Sequence, residues 1–195
     1  MTVTLRETLR RIRTDYRRMS KLMGIALTPA RIVFLAITPS IVALTLYRLS
    51  HWLYVKRIRF LAWFLWIVNT YLTGADIPPK TSIGESCYVG HPVGIKVYGW
   101  LGDRVILFGG VAIGGGRGGH DIGPGEGLPI IGSDVVVGEG AKILGSVRVG
   151  DRVIVGASAL VIRDVEAGVV VAGIPARVVK SRAESVDYEA LAKPT

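Results

Sequence analysis

The sequence predicts an N-terminal α-helical segment followed by a parallel β-helix of triangular cross-section, and three observations lead to that expectation. Aliphatic residues recur every six positions, at Ile83, Val89, Ile95, Leu101, Leu107 and Ile113, and again at Ile131, Val137, Ile143, Val149, Val155 and Val161. Glycine follows that position at 84, 90, 102, 114, 132, 138, 150 and 156. Before residue 75 the texture differs, with basic and apolar stretches of strong helix formers in place of short β-branched pieces.

A six-residue unit of strand plus corner, repeated three times per turn, closes into a prism whose aliphatic position points inward and whose tight corners take small residues. Ile113 and Ile131 are eighteen residues apart, three whole periods, so the second run resumes the register of the first. Twelve such units make about four coils. Residues 114–130, "GGGRGGHDIGPGEGLPI", break the pattern with Gly and Pro and should leave the wall as a loop. Long loops in regular scaffolds tend to be functional. The boundaries expected are a helical region over 1–74, the β-helix over 75–180 and a tail over 181–195.

Within the helical region, residues 3–23 read as an exposed basic helix capped at Thr2 or Thr4. The apolar run of residues 32–47, "IVFLAITPSIVALTLY", is broken by Pro39 and set between Arg31 and Arg48, which makes it short for a bilayer span. "FLAWFLWIV", residues 60–68, is shorter still, and the helices should stop at Gly74 before "ADIPPK". Residues 1–74 hold twelve basic and two acidic residues, against twelve and thirteen in the remainder. Such asymmetry points to an anionic surface, and the accompanying Trp and Phe favour a membrane face over nucleic acid. Two readings stay open for the apolar runs: buried helices of a subdomain, or interfacial contact with a membrane. An apolar stretch after thirty charged-helix residues is a poor secretory signal, and the lone Cys87 offers no intramolecular disulfide. The catalytic part is expected in the cytoplasm, peripheral at the inner membrane face if the second of those readings holds.

Only three histidines are present, and imidazole is the side chain best matched to proton transfer near neutral pH. His91 is either such a base or a polar corner of the wall. His51, between Ser50 and Trp52, reads as a packing or interface residue, and His120, in "RGGHDIG", is either a loop contact for acceptor or coenzyme or mere decoration. Three scattered histidines and one cysteine give no metal-ligand spacing, so no metal site is expected. "GGGRGG" lacks the Lys-Ser/Thr ending of a nucleotide phosphate loop.

Six stretches, in order along the chain, add specificity: "YRLSHWLY" (47–54), "GADIPPKTSIG" (74–84), "GHPVGIKV" (90–97), "VAIGGG" (111–116), "VGEGAKILGSVRVGDRVIVGASALVIRDV" (137–165) and "VVVAGIPARVV" (169–179). Together they resemble the hexapeptide-repeat acyl- and acetyltransferases, whose fold is a left-handed parallel β-helix, and within them serine acetyltransferases and relatives that modify other hydroxyls. The resemblance implies an O-acetyltransferase that uses acetyl-CoA as cosubstrate in a direct ternary complex, without a metal, as a homotrimer with sites shared between adjacent β-helices. It places the general base at His91 and its orienting carboxylate at Asp76. It lays the coenzyme arm along Gly115, Glu139 and Ala157, and sets Arg163 and Arg177 on its phosphates, with Lys180 as a weaker candidate.

Departures from the family pattern bear on the acceptor. Gly90 stands where serine acetyltransferases carry an Asp that helps hold the amino group of serine. "YGWLGD" is shorter than the family stretch and lacks its Glu, Leu128 before Pro129 replaces a second family His, and the loop is longer. These differences turn the expectation towards a sugar or polysaccharide precursor handled near the membrane. Serine O-acetylation for cysteine biosynthesis is the alternative, and a non-catalytic β-helical scaffold is the alternative of another class.

Overall fold

A computed structural model describes residues 3–115 and 127–181. His120, the middle of the 114–130 segment and the tail beyond Ser181 lie outside the described residues. Four helices come first: α1 (Leu5–Leu22), α2 (Pro29–Ala36), α3 (Pro39–Val55) and α4 (Arg59–Thr73). Thr4 is the cap of α1, its hydroxyl accepting from the Glu7 N–H, and Thr28 does the same for α2. Pro39 has no N–H to continue α2, and the chain turns by 75° between α2 and α3. Gly74, in the left-handed region at φ 75°, ends α4. Among the described residues no single helix is long and apolar enough to cross a membrane, although the bent α2–α3 pair reaches that length and composition together.

α1 is not the exposed helix expected from its charge, because Thr8, Asp15, Met19 and Ser20 are buried. The physical reason is an ion pair. Arg48 of α3 donates from Nε to Asp15 Oδ2 at 3.0 Å and from Nη2 to Oδ1 at 3.2 Å, with both side chains almost fully buried. The same guanidinium donates to the carbonyls of Ile83 and Gly84, and Asp15 Oδ1 accepts the Cys87 N–H at 2.9 Å. Tyr47 donates to the Thr81 carbonyl and accepts the Ile83 N–H. Ala43, Leu44 and Tyr47 of α3 join Ile77 and Ile83 in one apolar core, so the helices close the N-terminal end of the prism. A stacked solenoid needs such a cap.

Three parallel walls follow. The first contains β1 (Ser82–Ile83), β4 (Trp100–Leu101), β7 (Ile130–Ile131) and β10 (Arg148–Val149). The second contains β2 (Tyr88–Val89), β5 (Ile106–Leu107), β8 (Val136–Val137), β11 (Ile154–Val155) and β13 (Val169–Ala172), with β14 (Arg177–Ser181) added antiparallel at its edge. The third contains β3 (Lys96–Val97), β6 (Ala112–Gly114), β9 (Lys142–Leu144) and β12 (Leu160–Val161). From β1 to β12 successive strands visit the walls in rotation, which is the three-sided coil that the sixfold count predicts.

The count slips at one place. Val97, not Ile95, pairs with Ile113, so the third-wall residue lies eight positions after Val89 where Ile113 lies six after Leu107. Ile95 is also fully buried, beside the corner, and the two positions gained there are lost again because Leu101 follows Val97 by four. The extra residues fall in "HPVG", the corner that carries His91. Glycine after the inward residue has its own cause: a Cβ on Gly138 would lie 2.6 Å from the Ala157 N of the next coil.

Candidate active site

The edge joining the second wall to the third is a ladder of backbone bonds. Gly110 N donates to Val93 O at 3.2 Å, Gly140 N to Gly109 O at 2.9 Å and Ser158 N to Glu139 O at 2.8 Å. Glu139 and Ala157 are exposed on this edge, and His91 is exposed on the enlarged corner at its N-terminal end. Three of the residues named from the sequence therefore share one edge of the prism.

His91 sits at φ 57°, a conformation that costs a non-glycine residue about 1–2 kcal/mol. Its neighbours fit it closely. A Cβ on Gly109 would come within 3.1 Å of the His91 carbonyl oxygen, so the coil below is bare of side chain at that point. A Cβ on Gly90 would meet Tyr88 Cε1 at 3.2 Å and Phe108 Cδ1 at 3.3 Å, so two aromatic rings flank the residue before the histidine.

Asp76 stands at the N-terminal end of the third wall, bridged to Lys96, with its N–H on Ile95 O and its carbonyl accepting from Val97. Its carboxylate accepts from Trp66 Nε1 at 2.9 Å and from the Tyr98 hydroxyl at 2.8 Å. Among the described residues no hydrogen bond joins Asp76 to His91. Two of the carboxylate's roughly four lone-pair directions remain for a further donor. Burial, reinforced by the hydrogen bond and charge of Asp76, pushes the Tyr98 phenol well above its ordinary range, so Tyr98 stays a donor. Sequence reasoning missed both Trp66 and Tyr98. Trp66 is ten residues upstream on a helix, and nothing in the hexad pattern marks it.

Gly115 follows β6 and so lies on the opposite edge of the third wall, where Gly145 N donates to Gly114 O at 2.9 Å. Arg163 and Arg177, fourteen residues apart in sequence, line one cleft at the C-terminal end with Pro175, Ala176, Asp164 and Glu166. Two carboxylates in that cleft temper its positive charge. Lys180 is exposed on β14. His51 is half-buried, its Nδ1 2.9 Å from Pro79 O and its ring 5.9 Å from that of Tyr47, and burial lowers its pKa. That is a packing role. Among the described residues no group of His, Cys, Asp and Glu could hold a metal ion.

A family model described as bacterial transferase hexapeptide (six repeats) matches residues 129–163. A serine acetyltransferase from Helicobacter pylori (strain J99) is 36% identical over 147 residues, covering 74% of this chain and 84% of that protein. Another, from Synechococcus elongatus, is 34% identical over 151 residues, covering 76% of this chain but only 60% of the relative's length. Among solved structures, a serine acetyltransferase in complex with coenzyme A from Brucella abortus superposes with a TM-score of 0.78 at 28% identity, covering 92% of this chain and 70% of that one.

Proposed function

The chain belongs to the serine acetyltransferase family of hexapeptide-repeat transferases, and from that premise we propose that it moves the acetyl group of acetyl-CoA to the hydroxyl of L-serine. Its coils wind left-handed in this reading, as the family's do. Relatives named serine acetyltransferase, one matched over 84% of its length, are the observation that carries the acceptor. They outweigh the saccharide acceptor expected from the sequence departures.

The chemistry asks little of the protein beyond placement and a proton acceptor. His91, exposed on its widened corner, takes the hydroxyl proton as the serine oxygen attacks the thioester carbonyl. The tetrahedral adduct collapses with loss of the coenzyme thiolate, which recovers the proton from the imidazolium. Asp76, already positioned by Trp66 and Tyr98, is proposed to accept from the imidazole through a remaining lone pair and so fix its tautomer. Such bonds are often loose before substrate binds. Acetyl-CoA would run down the edge from His91 past Glu139 and Ala157, with Gly115 lining it from a neighbouring prism in a homotrimer and Arg163 and Arg177 on its phosphates.

Gly90 favours the second reading. With no carboxylate before His91 the corner offers less to an ammonium group, and the exposed ring of Phe108 beside Gly90 offers a face to a sugar. Side-by-side turnover decides: release of CoA with millimolar L-serine and none with sugars supports the first reading, and the reverse overturns it. Release with neither acceptor would favour the scaffold.

A further inference from the structure

The inward face of α4 is fully explained by packing: Ala62, Asn69 and Thr73 are buried, and Asn69 Nδ2 donates to Ala43 O at 3.0 Å. The outward face is not. Phe60, Phe64, Ile67 and Tyr71 recur at helical spacing along it, with Leu61 and Leu72 beside them, and all are exposed. Phe60 and Tyr71 are 87% and 89% exposed, values that leave almost no protein contact.

A basic turn precedes this stripe. Lys56, Arg57 and Arg59 are exposed, with no ion-pair partner among the described residues, and Arg57 holds the turn in the left-handed region at φ 65°. Lys56 and Arg57 follow the C-terminus of α3, where the macrodipole favours cations, but Arg59 opens α4 and opposes it, so helix stability does not account for Arg59. No Asp or Glu occurs between residues 16 and 75. A second apolar surface on α2, with Ile32, Val33 and Phe34 exposed, again stands beside a cation, Arg31.

We propose that the outer face of α4, with Lys56, Arg57 and Arg59 at its head, docks on an anionic lipid bilayer surface. Aromatic and aliphatic side chains enter the headgroup boundary while the cations meet lipid phosphates. Charge separates this occupant from a second copy of the chain. A two-fold contact would face one acid-free, cationic stretch with another, whereas anionic headgroups neutralise it. The inward side of the same helix carries Trp66, which holds Asp76, so docking would fix the site's orientation to the membrane.

The test uses the full chain in co-sedimentation with phosphatidylcholine vesicles with and without phosphatidylglycerol, at low and high salt. Binding to the anionic vesicles alone, weakened by salt and reduced about 10-fold or more in Phe60→Ser/Phe64→Ser and in Arg57→Glu/Arg59→Glu, is the expected result. Unchanged circular dichroism and CoA release show those variants to be folded. Absent binding, or equal binding to neutral and anionic vesicles, overturns the proposal. So does a fall in oligomeric mass of Phe60→Ser/Phe64→Ser in solution, which would assign the face to a second copy.

Discussion

The Tyr98 hydroxyl donates to Asp76 Oδ2 at 2.8 Å, tying the end of the first coil to the residue on which that coil begins. That bond, with Trp66 on the other oxygen, fixes the carboxylate before any substrate arrives. Tyr98→Phe should therefore lower kcat several-fold with little change in the KM for acetyl-CoA, and Asp76→Asn should lower it by at least about 10-fold. Steady-state kinetics with thermal melts separate this from unfolding.

The Asp15–Arg48 pair predicts a stability effect without a catalytic one. Removing either partner leaves a charge buried in the joint between helices and first coil, at a cost of about 3–5 kcal/mol. Arg48→Ala also abandons the carbonyls of Ile83 and Gly84. Urea unfolding of Asp15→Ala and Arg48→Ala should show losses of this size. A loss under about 1 kcal/mol would mean that the helices do not close the prism as described.

Burial pushes the Cys87 thiol up to about 12 from an ordinary value of 9.0. Its folded-state pKa lies above the unfolded one, so its contribution to stability is complete below about pH 9 and is lost as pH rises towards 12. The loss should approach about 1.4 kcal/mol per pH unit in that window. Cys87→Ala should flatten the slope, and the native thiol should resist a disulfide reagent at pH 8 until the chain is denatured.

Arg163 and Arg177 share a cleft although fourteen residues separate them, which fits one anionic ligand. Alanine at either should raise the KM for acetyl-CoA about 10-fold and leave kcat nearly intact. With an acetyl-CoA analogue lacking the 3′-phosphate, wild type and variants should converge. Equal KM values for wild type and both variants would place the phosphates elsewhere.

Most of the fold is legible in the sequence because a solenoid writes each inward position separately. Eleven of the twelve counted positions coincide with wall residues, and the exception, Ile95, misleads because it and Val97 are both aliphatic and both buried. Corner length leaves no mark on hydrophobicity. The helical cap is less legible: Asp15 and Arg48 are thirty-three residues apart on different helices, and only the fold makes one acid in a basic helix a buried anchor. At the site, Glu139 and Ala157 are one eighteen-residue coil apart, whereas His91, on the enlarged corner, is marked by the family resemblance and not by spacing. The partners of Asp76 follow from neither, since Trp66 comes from a helix outside the repeat.

One comparison isolates the acid–base role of His91. Wild type and His91→Ala, both folded and both binding coenzyme A, are given acetyl-CoA and L-serine, and CoA release is followed. Wild type should turn over, and the variant should lose about 10²- to 10⁴-fold. Turnover by the variant within about 3-fold of wild type would contradict that role.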